Sequence, residues 1–220
     1  MAKIPGGNMD AHKMAHNLKA LERTAAALRA NKFEAAVYET GTEAASALLT
    51  LAGGGKTIGI GGSVTVETLG LPEMLRAAGN TIITHKPGMD PETRRAVWLA
   101  AQSADIYLAS PQAVTLDGKM ILVDGNGNRC SAVTFGPRKT ILLAGVNKLV
   151  RDQDEGLWRA RNVAAVANNI RLKKDNPCVK TGKCEDCRSP QRICNVATLL
   201  WKKPGPSDIL VMLVNEDLGY

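Results

Sequence analysis

Four cysteines close together in the chain are the residues with the most distinctive chemistry. Cys178, Cys184, Cys187 and Cys194 follow the spacing C-x(5)-C-x(2)-C-x(6)-C. Thiolates in sets of four bind either zinc or an iron–sulfur cluster. The four cysteines are therefore candidate ligands of a [4Fe–4S] cluster, with zinc as the alternative. Only one C-x-x-C pair is present, which matches a zinc ribbon poorly, and free thiols that pair on oxidation remain a further interpretation.

The charge around these cysteines supports a metal or cluster. The stretch from Arg171 to Lys203 contains nine basic and three acidic residues, so it carries +6 of the net charge of +7. Cationic surroundings would offset the negative charge of a tetrathiolate site and would lower the thiol pKa values. Nucleic acid is the usual partner of so basic a segment, but Trp201 is its only aromatic residue available for base stacking. We therefore expect no nucleic-acid binding.

A glycine-rich loop is the second chemical signal. It follows the apolar run Lys56–Ile60 and contains Gly61, Gly62, Ser63 and Thr65. Glycines allow a tight turn whose N–H groups point at an anion, and the two hydroxyls add hydrogen-bond donors. The loop lacks the Walker lysine and is not a G-x-G-x-x-G fingerprint. Its alternative interpretation is a tight strand-to-helix turn without a ligand.

Two further loops carry polar groups after apolar runs. After the predicted strand Met120–Val123, Gly125, Asn128 and Arg129 form a candidate anion clamp, and Asp124 is a candidate acid/base or polar anchor. After the run Lys139–Ala144, Asn147 and Lys148 are further candidates for anion binding. Glu67, beyond the first loop, is a second candidate nucleophile or base. If the sheet is parallel, all these loops meet at its carboxyl edge.

The elements that must position these loops alternate between apolar runs and helical stretches. Strands are predicted at 33–39, 56–60, 81–84, 105–109, 139–144, 196–201 and 208–214, and helices at 10–31, 42–51, 91–102 and 154–169. Asp117-Gly118 within 114–124 predicts a hairpin, and 175–195 is predicted as a cysteine-rich loop. The alternation favours an α/β fold with a mostly parallel sheet sandwiched by helices. His12 and His16 lie four residues apart on the first helix, where an exposed face is the favoured interpretation over metal binding.

Composition narrows the class of protein. The chain has 220 residues, of which 45% are hydrophobic and 22% charged, as in ordinary globular domains. No apolar run reaches the ~18 residues of a transmembrane helix, and the segment from Met1 to Gly7 lacks the apolar core of a signal peptide. We therefore expect a cytoplasmic protein whose thiols are reduced. Cys130 lies apart from the cluster and is predicted to be a core residue.

Several motifs together resemble the LUD domain family, also known as lactate utilisation protein C, YkgG or DUF162. They are Gly59–Thr65 with Glu67 and Leu69–Leu71, Asp105 through Asp117-Gly118, Asp124–Arg129, Phe135–Lys139, Ala144–Lys148, Asp152–Glu155 and the tail Pro177–Asn195. The tail is similar to a stand-alone branch with a C-terminal cysteine cluster. The resemblance implies a Rossmann-like sandwich of the NagB/RpiA/CoA-transferase (sugar-phosphate isomerase) superfamily. It also implies a part in the oxidation of L-lactate to pyruvate, as one subunit beside iron–sulfur redox proteins, without fixing the catalytic role of this subunit.

These observations predict an N-terminal helical segment at 1–32 and a LUD-type domain at 33–220, the helix being a candidate surface for pairing subunits. The favoured function is a subunit of lactate-type organic-acid oxidation that binds a small anionic metabolite beside a four-cysteine site. One alternative is a transferase or isomerase for a phosphorylated or CoA-linked metabolite. Another is a non-catalytic assembly module with zinc in its cysteine loop.

Overall fold

A parallel sheet with helices on both faces forms the centre of the molecule, which is described here by a computed structural model covering residues 10–220. A second, smaller sheet lies beside it. The predicted α/β class, with a mostly parallel sheet flanked by helices, is confirmed. The described part of the chain contains no helix with the length and apolarity needed for a transmembrane span.

The elements follow one another as strand and helix along most of the described chain. The strands are β1 (Glu34–Tyr38), β2 (Thr57–Ile60), β3 (Thr81–Thr84), β4 (Ile106–Ala109), β5 (Ala113–Thr115), β6 (Met120–Asp124), β7 (Lys139–Gly145), β8 (Leu149–Val150), β9 (Val196–Leu200) and β10 (Asp208–Val214). The helices are α1 (Ala11–Ala30), α2 (Gly41–Ala52), α3 (Val64–Thr68), α4 (Leu71–Ala77), α5 (Pro91–Gln102), α6 (Asn128–Thr134), α7 (Gln153–Arg159), α8 (Ala165–Arg171) and α9 (Pro177–Thr181). A 3₁₀ turn covers Val146–Lys148, and a π-helical segment covers Ala160–Ala164.

The larger sheet has the strand order β1-β10-β7-β4-β2-β3, and every neighbouring pair is parallel. Its strands are apolar on both faces because helices cover both. In β7, Ile141 and Leu143 face one core cluster with α2, α3 and α4, whereas Leu142 and Ala144 face the cluster that includes α1. The carboxyl ends of β2, β4 and β7 are neighbours, which places the loops that follow them side by side.

The smaller sheet has the order β8-β5-β6-β9. Strands β5 and β6 form the predicted hairpin: they pair antiparallel, and the Asp117-Gly118 turn joins them. Gly118 takes a φ of +79°, and the Asp117 carboxylate accepts a hydrogen bond from the Thr115 hydroxyl. The hairpin brings the end of β6 toward the carboxyl edge of the larger sheet.

Helix α1 packs on the core through one stripe of small and apolar residues. Asp10 caps its start, accepting hydrogen bonds from the backbone N–H groups of His12 and Lys13. Leu21, Ala25 and Leu28 are fully buried in the cluster beneath the larger sheet, whereas His12 and His16 are exposed. Residues 1–9 of the predicted segment 1–32 lie outside the described residues. The boundary after residue 32 and the pairing of subunits through this helix stay predictions.

Three local predictions differ from the structure. Helix α2 begins at Gly41, one residue before the predicted start at 42, and the Thr40 hydroxyl caps it. The predicted helix 154–169 is a continuous α7–π–α8 run that ends at Arg171. The predicted loop 175–195 contains the short helix α9, because Pro177 suits the first helical position and Gly182, with a φ of +74°, ends the turn.

The last turn of α5 packs closely on the sheet at Gly59 in β2. A Cβ at this position would overlap the carbonyl oxygen of Ala101 and would lie 2.9 Å from the Tyr107 ring. We expect Gly59→Ala to lower the free energy of unfolding by about 1–3 kcal/mol in urea denaturation. Gly205→Ala is the control, because nothing lies within 4 Å of a Cβ there. Equal midpoints for the two variants would contradict this packing.

Candidate functional site

A cavity of about 210 Å³ lies where the carboxyl ends of β2 and β4 face the end of β6 and helix α8. We call it the central cavity. The predicted anion-binding residues that line it are Gly61, Gly62, Ser63, Thr65, Gly125, Asn128, Arg129 and Lys148. The fold thus brings together three loops that are distant in the sequence. Among the lining residues of the described chain, Arg129, Lys148 and Arg171 are cationic and none is Asp or Glu.

Lys148 is the most deeply buried cationic residue of the cavity wall, with only 3% of its surface exposed. It ends the turn after β7, and its Nζ donates hydrogen bonds to Ser110 Oγ at 2.6 Å and to Thr65 Oγ1 at 3.0 Å. These hydroxyls follow β4 and β2, so the contact joins three neighbouring strand ends. Burial, and then repulsion by Arg159 and Arg129, lowers the pKa of Lys148 to about 7.

Asp124 and Arg129 form a second buried unit at the end of β6. The Asp124 carboxylate accepts hydrogen bonds from the backbone N–H groups of Arg129 at 2.8 Å and Cys130 at 3.3 Å, and so it caps helix α6. Arg129 Nε lies 3.7 Å from the same carboxylate, and its Nη2 donates to the carbonyl of Val123 at 2.8 Å. Asp124 therefore positions Arg129 and is not itself among the residues that line the cavity.

The glycine loop after β2 is crowded. A Cβ at Gly61 would overlap the Tyr107 hydroxyl and Arg129 Cγ, and Gly62 takes a φ of +89° that favours glycine. Ser63 caps α3, because its hydroxyl accepts the N–H of Val66 at 3.3 Å. Sequence reasoning allowed either a bare turn or a ligand loop. Close packing explains the glycine at 61 and the positive φ explains the glycine at 62, and the loop also lines the cavity.

His85, which the sequence analysis did not select as a site residue, also lines the cavity. It follows β3, and its Nδ1 accepts a hydrogen bond from Trp98 Nε1 at 3.2 Å. Burial, and then the nearby Arg94, lowers the pKa of His85, so the ring is neutral at pH 7. With Nδ1 as acceptor, the proton sits on Nε2. Its place at the end of a parallel strand was the signal that could have identified it.

The helical wall of the cavity was not foreseen. Ala160 and Ala164, at the two ends of the π segment, and Ala165, the first residue of α8, line the cavity with small side chains, and Asn168 lies one turn further on. Arg159, at the end of α7, is buried and donates to the carbonyls of Asn147 and Gln112. Nothing in the local sequence marks a π segment, since its small residues also suit an ordinary helix.

Besides Asp124, two more predicted residues lie outside the cavity wall. The Asn147 side chain holds the end of the chain, since its Nδ2 donates to Gly219 O at 3.2 Å and its Oδ1 accepts the Leu218 N–H at 3.1 Å. Glu67 is exposed on α3 and reaches the site only through its electrostatic effect on His85. The roles proposed for them in binding or catalysis stay predictions.

The four clustered cysteines all line one small hollow beside α8, which we call the thiol pocket. Cys178 is buried and the other three are half-buried. Burial, and then the neighbouring Cys187 and Cys194, raises the pKa of the Cys178 thiol. Within residues 10–220, no three His, Cys, Asp or Glu side chains are arranged to hold a metal ion as they stand. Cys130 lies in the core, as predicted, with 3% of its surface exposed.

The segment that carries these thiols, residues 175–195, is fixed by polar contacts to the domain. Asn176 Nδ2 donates to Asn169 Oδ1 at 2.6 Å, and Asn195 Nδ2 donates to Gly125 O at 3.0 Å. Arg192 donates to the carbonyls of Cys187 and Cys194, at 2.7 and 3.2 Å. Its guanidinium is thereby held beside the thiols. Of the basic residues of this stretch, Arg192 is therefore in contact with the cysteines.

Comparison with known proteins gives one family match. The sequence model of the LUD domain matches residues 21–214. A solved DUF162 family protein from Deinococcus radiodurans is 15% identical, with 91% of this chain and 98% of that chain covered and a TM-score of 0.47. The eIF2B beta structure from Chaetomium thermophilum is also 15% identical, covering 66% of this chain and 47% of that one, with a TM-score of 0.34. No curated protein matches the chain.

The buried amine of Lys148 predicts a specific pH dependence of stability. In the unfolded chain its pKa is about 10.4, whereas the folded value is about 7. Between these values the unfolded state holds a proton that the folded state lacks, so stability rises with pH by at most about 1.4 kcal/mol per pH unit. Lys148→Met removes this contribution. We expect urea denaturation to show the wild type gaining stability relative to this variant as pH rises from about 7 to about 9.

The control is Lys19→Met, on the exposed face of α1. Its stability should follow that of the wild type at every pH. Parallel pH curves for the wild type and Lys148→Met would show that the amine is not shielded from water as the structure has it.

Proposed function

The chain belongs to the LUD domain family, and on that premise we propose that it binds a small carboxylate metabolite of the lactate type in the central cavity. We further propose that it serves as a subunit of organic-acid oxidation, with the thiol pocket holding an iron–sulfur cluster. The observation that carries the first proposal is the charge of the cavity wall. Three cationic side chains line it and, among the described residues, no acidic one does.

The electrostatics of Lys148 support an anionic ligand. Its neighbours at hydrogen-bond distance are hydroxyls, and repulsion by Arg159 and Arg129 adds to the penalty of burial. A buried ammonium without a negative partner is costly, and a carboxylate in the cavity would offset that cost. Such a ligand would raise the pKa of Lys148, so binding should take up protons near neutral pH.

The size and donors of the cavity support a small metabolite. Its volume of about 210 Å³ is below the ~300–1,000 Å³ of pockets that hold drug-sized ligands. Arg129 can present N–H donors to a carboxylate, and the neutral His85 can donate from Nε2 to a hydroxyl or carbonyl oxygen. A CoA-linked substrate would have to leave most of its length outside such a cavity.

The donor set of the thiol pocket supports an iron–sulfur cluster. Cys178, Cys184, Cys187 and Cys194 would supply four thiolates, the usual ligand set of a cubane cluster. A bound cluster would supply one-electron transfer at this position. The surrounding cations, Arg192 among them, would offset its negative charge. Ala165 lines both the thiol pocket and the central cavity, so a single layer of protein separates the two.

Calorimetry with a panel of ligands tests the carboxylate proposal. We expect L-lactate and pyruvate to bind, and lactamide, which lacks the negative charge, not to bind. Arg129→Gln should weaken binding roughly 10–100-fold, as loss of a charge-assisted hydrogen bond does. Arg76→Gln, in an exposed pair with Glu73 on α4, is the matched control. Binding of ribose 5-phosphate or acetyl-CoA without any carboxylate binding would instead support the transferase or isomerase alternative.

Metal analysis of protein produced without air tests the cluster. We expect iron and acid-labile sulfide in equal amounts, visible absorbance, and loss of both in Cys184→Ser. Cys130→Ala, in the core, should keep them, since Cys130 is not among the residues of the thiol pocket. Colourless protein with one zinc per chain would favour the assembly module, and metal-free protein after reconstitution would leave only free thiols.

A further inference from the structure

We propose that Lys148 is a nucleophile whose Nζ forms an imine with the carbonyl carbon of a 2-oxo acid bound in the central cavity. This inference rests on the proposed function, because the carboxylate of the 2-oxo acid is the anion assigned to that cavity. It goes further by giving Lys148 a covalent role in place of a purely electrostatic one.

The first support is the position of the amine. Lys148 lines the central cavity, yet its side chain is almost completely buried. Within residues 10–220 no acidic group contributes to its electrostatics; the charged groups that act on it are Arg159 and Arg129. Structural lysines in protein interiors are normally paired with carboxylates. Lys148 instead sits in a hydroxyl environment at the wall of a polar cavity, where a small molecule can reach it.

The second support is the state of the amine. A desolvated lysine beside other cations loses its proton more easily, and this is how lysine becomes a nucleophile toward carbonyl compounds. Burial and the two arginines both act in that direction here. Arg159 is held in place by the carbonyls of Asn147 and Gln112. Its effect on Lys148 is therefore built into the fold.

The third support is the set of groups around Nζ. Ser110 Oγ and Thr65 Oγ1 lie 2.6 and 3.0 Å from Nζ. From these positions the hydroxyls can exchange a proton with the nitrogen or with the oxygen on the attacked carbon. Thr65 Oγ1 and Ser110 Oγ also lie 3.2 Å from each other, so the two hydroxyls can pass a proton between them. Arg129 in the same wall can bind the carboxylate and orient the adjacent carbonyl group.

The step balances without an oxidant or reductant. The neutral amine attacks the carbonyl carbon, a C–N bond forms, and the carbonyl oxygen gains the proton that nitrogen loses. The resulting carbinolamine then expels this oxygen as water, taking up a proton while nitrogen releases its second one. The products are the imine and one water molecule. A 2-hydroxy acid such as lactate has no carbonyl and cannot react in this way.

Reductive trapping tests the proposal. The full-length protein is incubated with pyruvate and cyanoborohydride, and intact mass spectrometry is followed by peptide mapping. We expect one adduct, heavier than the protein by the mass of pyruvate less one oxygen atom, on Lys148. Excess L-lactate should suppress labelling by competing for the cavity. Labelling should become faster as pH rises through about 7, where Lys148 loses its proton.

Lys148→Met and Lys148→Arg should reduce labelling to the background of the exposed lysines, whereas Lys19→Met should leave it unchanged. If a Lys148 variant fails to fold, peptide mapping of the wild type alone shows whether the adduct is on Lys148. An adduct spread over exposed lysines, or absent although calorimetry shows that pyruvate binds, overturns the imine and leaves the proposed function standing. Absence of both pyruvate binding and the adduct overturns both proposals.

Discussion

Burial of one ammonium group at the junction of three strand ends is the constraint on which the site depends. Lys148 leaves β7, Thr65 follows β2 and Ser110 follows β4, and hydrogen bonds between them join these ends. The cost of desolvating the amine is reduced by the two hydroxyls, which accept hydrogen bonds from it, and by the lowered pKa, which favours its neutral form. Any change in the register of β2, β4 or β7 would move one of the three groups and leave a buried polar atom unpaired. The site and the parallel sheet are therefore mutually dependent.

The part of the cavity wall at the end of β6 is positioned by a helix cap. The Asp124 carboxylate accepts hydrogen bonds from the first N–H groups of α6 and forms an ion pair with the Arg129 side chain. Its charge therefore has a structural role. This arrangement fixes Arg129 at the cavity wall, and the ion pair with Asp124 partly offsets the charge of its guanidinium. The placement of Arg129 in the wall thus depends on the residue that also caps α6.

The fold could be predicted from the sequence further than the site could. Apolar runs such as Lys139–Ala144 and helical stretches such as 91–102 report local preferences, and these positions carry the expected strand and helix. The loops after strands correctly predicted eight of the residues that line the cavity, because the carboxyl edge of a parallel sheet brings such loops together. The sequence pattern could not show that the Asn147 side chain would bind the backbone of Leu218 and Gly219. It also could not show that Asp124 would serve as a cap, since one residue type suits both roles.

The part of the cavity wall that α8 and the cysteine segment form could not be predicted from the local sequence at all. Ala160, Ala164 and Ala165 line the cavity from the π segment and the start of α8. A Cβ at Gly125 would lie 3.1 Å from Ile193 Cα, tighter than an ordinary contact, and Ile193 precedes Cys194. The cysteine segment therefore packs directly on the loop that leads into α6 and Arg129. Because protein interiors are closely packed, this contact and the shared wall residue Ala165 make the thiol pocket and the central cavity direct neighbours in the fold.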